Sequence, residues 1–121
     1  MKYLLFHVAD KQQDDIWHYT LNTWGESQAK KYIIGLHDCF QALADKKLIW
    51  RVLPRHLVVP QDLSVDVYFI QYEKHHIFFK QLSGDTIGIL AILHESMNMP
   101  IKLAKDLEKL LNRVNIKEFS Q

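Results

Sequence analysis

The sequence predicts an α+β domain. An N-terminal strand leads into an antiparallel helical hairpin packed on a three- to four-stranded, mainly antiparallel sheet, and a C-terminal helix follows. Three observations carry this expectation. Two β-rich runs, Ile77-Phe78-Phe79 and Ile87 to Leu93, flank the turn signal Ser83-Gly84-Asp85. The second run is almost wholly apolar, which calls for burial on both faces and hence a central strand. Finally, two amphipathic helical stretches are joined only by Trp24-Gly25, which predicts a helical hairpin.

In chain order, Lys2 to Val8 reads as the first strand, with apolar residues on both sides. Asp10 is the expected N-cap of a helix from about Lys11 to Thr23. Its core side is Ile16, Trp17, Thr20 and Leu21, and Gln12, Asp15 and His18 point outward. Gly25 closes it, because glycine takes the left-handed conformation without a Cβ clash. In the second helix Ala29, Tyr32, Ile33, Leu36, Phe40 and Leu43 form one face of a 3.6-residue period. Lys30, Lys31, Asp38, Asp45 and Lys46 lie mainly elsewhere. Pro54 and Pro60 interrupt the stretch from Lys47 to Gln61, with Leu57-Val58-Val59 a short strand piece between them. Val65 to Tyr72 alternates as a strand and pairs with Ile77–Lys80 through Glu73-Lys74. Pro100 suits the first turn of a last helix, striped by Ile101, Ala104, Leu107, Leu111 and Val114. The chain reads as a single domain, 1–121, with 99–121 a C-terminal helical extension.

Composition narrows the function. A chain of 121 residues that is 48% hydrophobic and 24% charged is expected to fold as one globule. No apolar run approaches the roughly 18 residues of a membrane span. The opening MKYLLFHVADKQQDD turns acidic too soon for a signal peptide. Cys39 is the only cysteine, so no internal disulfide forms, and a reducing cytoplasm is the expected compartment. The formal charge is +1. Residues 1–50 hold six basic and six acidic side chains and residues 51–121 nine and eight, so no basic block marks a nucleic-acid backbone site and no direct nucleic-acid binding is expected.

Seven histidines raise the question of a metal. His75 and His76 are adjacent on a strand and point to opposite faces, and the other five show no ligand spacing. No metal or cofactor is expected. Cys39 lies beside the apolar stripe and reads as a structural thiol. Trp17 and Trp24 are assigned to helix–sheet packing. Trp50, next to Arg51, reads as an exposed anchor.

Two stretches resemble one family. DDIWHYTLNTWGESQAKKYIIGLHDCFQALA follows the pattern of the ParE toxins of the ParE/RelE superfamily, through Ile16, Tyr19, Thr20, Trp24, Gly25, Gln28, Ala29, Tyr32, Leu36, Phe40, Leu43 and Ala44. HHIFF…IGILAILHESMN resembles the strands that end that family's domain. Together they cover roughly residues 1–98. The resemblance implies the toxin of a type II toxin–antitoxin pair, one that arrests growth by binding DNA gyrase and is neutralised by a cognate antitoxin. It implies no hydrolytic site. The expected antitoxin contact is the groove between hairpin and sheet, where Leu21, Trp50 and Leu57 are apolar residues in excess of a small core.

The sister branch of the superfamily, the RelE-type toxins, cleaves messenger RNA. That chemistry needs an acid–base group and cations on the phosphate. Here Ala91 and Tyr68 stand where relatives often carry arginine, leaving His94 and Tyr68 as acid–base candidates. Missing arginines and near-neutral charge argue against cleavage. A RelE-like ribonuclease is the alternative reading, and a non-toxic remnant that only binds its antitoxin is a third. The candidate partner-binding residues are Trp50, Arg51, Tyr68, His94, Lys102, Lys105 and Lys109, the three lysines on one side of the last helix.

Overall fold

The computed structural model describes residues 2–52, 67–82 and 84–95. Their elements are β1 (Lys2–Leu5), α1 (His7–Trp24), α2 (Glu26–Ala44), β2 (Arg51–Val52), β3 (Tyr68–Tyr72), β4 (His75–Gln81) and β5 (Thr86–His94). They form a five-stranded sheet in the order β1-β5-β4-β3-β2, with the hairpin of α1 and α2 on one face. The sheet has one strand more than the sequence predicts. The addition is the two-residue β2, paired antiparallel to β3 at Arg51↔Phe69 and Val52↔Tyr68. β1 pairs parallel to β5, and β3, β4 and β5 form an antiparallel meander. The Leu57–Val59 strand piece, Val65, Asp66 and the last helix lie outside the described residues.

β5 is interior and all seven residues from Ile87 to Leu93 are buried, as an unbroken apolar run requires. On the helix side Ile77, Phe79, Ile87, Ile89 and Ile92 meet Ala9, Ile16, Leu36, Cys39, Phe40, Leu43 and Ala44 in one core cluster. Fully burying a side chain such as Leu36 or Phe40 contributes about 1.5–3 kcal/mol. Phe78 pairs with Ala91 and Phe79 with Ile89, so Leu90 is an extra residue on β5. That bulge returns Ile92 to the helix face beside Ile89. The same pairing explains Gly88. A Cβ there would sit 3.0 Å from the Phe6 ring and 3.3 Å from Leu82.

α1 begins at His7, not near Lys11, and β1 ends at Leu5 instead of Val8. The N-cap is Phe6 rather than Asp10. Its N–H donates to Ile89 O at 3.0 Å, the last bond of the parallel pairing, and its own C=O accepts from Asp10 N at 2.9 Å, the first bond of the helix. Tertiary pairing thus sets the boundary, and the polar cap signal loses. The earlier start explains a second correction. Val8, Gln12, Ile16 and Thr20 form one i, i+4 stripe, so Gln12 faces the sheet instead of solvent. Its Oε1 accepts the Ile92 N–H at 2.7 Å, which β1 no longer reaches because it ends opposite Ile89.

Gly25 alone separates the helices, at φ 96°. α2 ends in a left-handed Lys46 (φ 59°), with Lys46 N bonded to Leu43 O and Lys47 N to Ala42 O at 2.9 Å. This is a Schellman closure carrying lysine where glycine is usual.

Candidate functional site

The candidate residues fall at two ends of the sheet. At one end, Tyr72 closes β3, His75 opens β4 and His94 closes β5, in register as Tyr72↔His75↔His94. α2 supplies Tyr32, whose hydroxyl lies 2.5 Å from His75 Nδ1. Tyr32 also meets the Tyr72 ring at 5.4 Å and His75 at 5.6 Å, and His75 meets His94 edge-on at 5.3 Å. Gly35 permits this packing, because a Cβ there would lie 2.0 Å from the Tyr72 hydroxyl. Gln71 Nε2 donates to Glu95 Oε2 at 3.1 Å and to Glu73 O at 3.0 Å, tying the β3–β4 turn to the end of β5.

Burial dominates the electrostatics here. It lowers the His75 pKa to about 4, helped by His94 and His76 and opposed by Glu95. It raises Tyr32 strongly and Tyr72 as well, and it pushes the Cys39 thiol up to about 11. His75 is therefore neutral near pH 7, with one ring nitrogen engaged by Tyr32. An acid–base catalyst works best with a pKa near the operating pH, and His75 does not offer one. No group of three His, Cys, Asp or Glu side chains among the described residues could hold a metal ion.

At the other end, Trp50 folds back under the end of α2. Its Nε1 donates to Leu43 O at 3.0 Å. Its ring lies 5.1 Å from Tyr68 and 5.4 Å from Phe79, and Lys46 Nζ sits 5.5 Å over its face. Trp50 is thus a half-buried closure of the core and not the exposed anchor expected from its neighbour Arg51. Tyr68 stacks on Phe79 with centroids 5.8 Å apart. Arg51 is exposed.

The two acid–base candidates do not meet. Tyr68 and Tyr72 are four residues apart on β3, about 13 Å at the usual strand rise, and His94 lies a further two strands across, about 10 Å. Trp50, Arg51 and Tyr68 come together, and His94 stands with His75 at the opposite end. Lys102, Lys105 and Lys109 lie outside the described residues.

The structure adds residues that the sequence reading assigned elsewhere. Trp24, expected in helix–sheet packing, is 70% exposed, and Tyr19 is 67% exposed. Tyr32 meets the last row of the sheet, so the seven helical steps from Tyr32 back to Gly25 carry the hairpin tip about 10 Å beyond it. Trp24 sits on that overhang. Of the residues that carry the family pattern, Ile16, Thr20, Ala29, Leu36, Phe40, Leu43 and Ala44 are buried and explain the core. Tyr19, Trp24 and Gln28 are exposed and do not.

A hairpin hinged on one glycine, laid on one face of a mixed sheet whose ends carry aromatic clusters, defines the class as a small α+β domain. The chain belongs to the ParE toxin family: the family described as "ParE toxin of type II toxin-antitoxin system, parDE" matches residues 5–99. Among its relatives, Toxin ParE1 of Mycobacterium tuberculosis is 26% identical over 98 residues, covering 81% of this chain and 93% of the relative. Toxin ParE of Escherichia coli is 26% identical over 106 residues, covering 88% and 96%.

Proposed function

We propose that this protein arrests growth by binding and inhibiting DNA gyrase, and that a cognate antitoxin neutralises it in the cytoplasm. The observation that carries the reading is the family match over residues 5–99 together with what it leaves on the surface. Tyr19 and Trp24 belong to the matched pattern yet contribute little to the core. Exposed tryptophan and tyrosine are the residue types that dominate protein–protein binding energy. The hairpin tip is therefore the proposed target-facing surface. Lys102, Lys105 and Lys109 are proposed to steer the encounter through their charge, so reversing all three to Glu should weaken growth arrest and leave the melting temperature nearly unchanged.

A binding mode, without hydrolysis, is supported by the separation of Tyr68 from His94 and by the neutral His75. The test is induced expression followed by two assays with purified protein. Supercoiling by gyrase should fall while translation and RNA remain intact. RNA cleavage, with or without ribosomes, that His94→Ala or Tyr68→Phe abolishes would establish the ribonuclease reading instead. Neither effect, with a stable complex formed by the product of the neighbouring reading frame, would mark a non-toxic remnant.

A further inference from the structure

We propose that the segment Lys46–Val52 is a docking site for an acidic, extended segment of a protein partner. The argument starts from charge. Lys46, Lys47 and Arg51 are all exposed, and no acidic residue occurs between Lys46 and Val52. Leu48, Ile49 and Val52 lie among these cations and are also exposed, Ile49 at 82% and Val52 at 54%. Apolar side chains displayed this fully on a folded surface mark an interaction site more than a packing error.

The backbone selects the form of the occupant. β2 is the last strand in the sheet order, so its outer edge faces no other strand among the described residues. A strand edge takes an extended chain, which adds backbone hydrogen bonds while alternate side chains reach the surface. The segment is also held in place. Trp50, at its centre, is fixed by the Leu43 carbonyl and by the rings of Tyr68 and Phe79. A partner therefore meets a preorganised surface with less ordering cost.

Basic and apolar residues together also suit an anionic membrane. The orientation of Trp50 favours a protein partner. At a lipid surface the indole is the group that enters the headgroup region, and here its N–H is turned inward onto α2. On the toxin–antitoxin reading, on which this assignment of the partner rests, the acidic segment belongs to the neutralising protein.

The test uses the full chain and a peptide of roughly twelve residues alternating Glu with Val and Ile, long enough to cover a strand edge. Amide shifts on titration should concentrate at residues 46–52 and on β3. Affinity should fall about tenfold between low and high salt, and by at least that factor in the double variant Lys47→Glu, Arg51→Glu. A matched peptide with Lys in place of Glu should not bind. Both substituted positions are exposed, and an unchanged melting temperature verifies the fold. Shifts elsewhere, binding that the double reversal leaves intact, or adsorption to vesicles containing phosphatidylglycerol without peptide binding would overturn the proposal. Growth arrest and supercoiling are read separately, so a protein that binds the peptide but leaves gyrase untouched keeps this site and loses the toxin reading.

Discussion

Trp50 and Trp24 stand at opposite ends of the same sheet and have opposite fates. Trp50 follows a helix end, carries Arg51 beside it, and is drawn inward by the Leu43 carbonyl and two aromatic rings. Trp24 continues the buried stripe of Ile16 and Thr20, yet it is 70% exposed. The difference lies along the helix axis. A helical wheel gives the angle at which a side chain points but not whether the sheet still extends beneath it. At the Trp50 end α2 stops over the sheet and exposed carbonyls need donors. At the Trp24 end the hairpin runs past the last strand row, and the ring is left mostly exposed. One tryptophan is therefore structural and the other is available for binding.

The largest expected effect falls on the structural one. Trp50→Ala should destabilise the protein by about 3 kcal/mol, since it removes a large half-buried ring from Tyr68 and Phe79. Trp50→Phe should cost about 1 kcal/mol, because the Leu43 carbonyl keeps its bond from Lys46 N. Urea unfolding measures both. A loss under about 1 kcal/mol for Trp50→Ala would mean that the ring is not a core closure.

Next comes a substitution at the opposite end. Gly35→Ala places a Cβ 2.0 Å from the Tyr72 hydroxyl and 3.2 Å from its Cζ. The ring must swing away from Tyr32, at an expected cost of about 2 kcal/mol. Adding Tyr72→Phe should recover most of that loss, because the clashing atom is gone. Strict additivity of the two changes in a double-mutant cycle would show that they do not touch.

The two ends also differ in their response to pH. Among the described residues the ring cluster at the Trp50 end holds no histidine, whereas the other end has His75 with a folded pKa of about 4 against an ordinary 6.5. The fold thus favours the neutral imidazole. The stability this contributes is fully present above pH 6.5 and is lost as pH falls toward 4. His76 and His37 are lowered in the same direction, also by burial. The melting temperature should therefore fall on acidification through this window, by less than either substitution above. His75→Phe should flatten the slope. Should the slope persist unchanged in that variant, His76 and His37 carry it and His75 is not the sensor.

Much of the fold was legible because it is periodic. The stripe from Ala29 to Leu43, the unbroken run Ile87–Leu93 and the Glu73-Lys74 turn each impose one register, and the structure has it. What was not legible depends on contacts distant in sequence. Gln12 looks like a solvent residue until β1 ends early and leaves the Ile92 N–H to be satisfied. β2 is two residues long and has no periodicity to read. The cations at 46, 47 and 51 vanish when charge is counted over halves of the chain, and they emerge only when exposure groups them on the segment that leads from α2 into β2. The candidate site was legible as a family pattern but not as a surface. Sequence alone could not divide that pattern into core residues and residues with another reason to be there.

The smallest effect on stability should come from the other tryptophan, and it is the one that decides the comparison. Trp24→Ala removes a mostly exposed ring and should change unfolding free energy by no more than about 0.5 kcal/mol. The backbone around it is fixed by other means. Gly25 N bonds to Leu21 O at 3.0 Å and Ala29 N to Gly25 O at 3.1 Å, and neither involves the indole. Any functional loss in this variant is therefore not a folding loss. Growth arrest and inhibition of supercoiling should both weaken by about tenfold or more, the usual consequence of truncating an aromatic anchor. Tyr19→Ala should act in the same direction with equally little effect on melting. If Trp24→Ala arrests growth as the parent does, the overhanging tip is not the target surface. The exposed residues that the family pattern retains would then need another partner, and the antitoxin is the first to test, by measuring its affinity for the same variant.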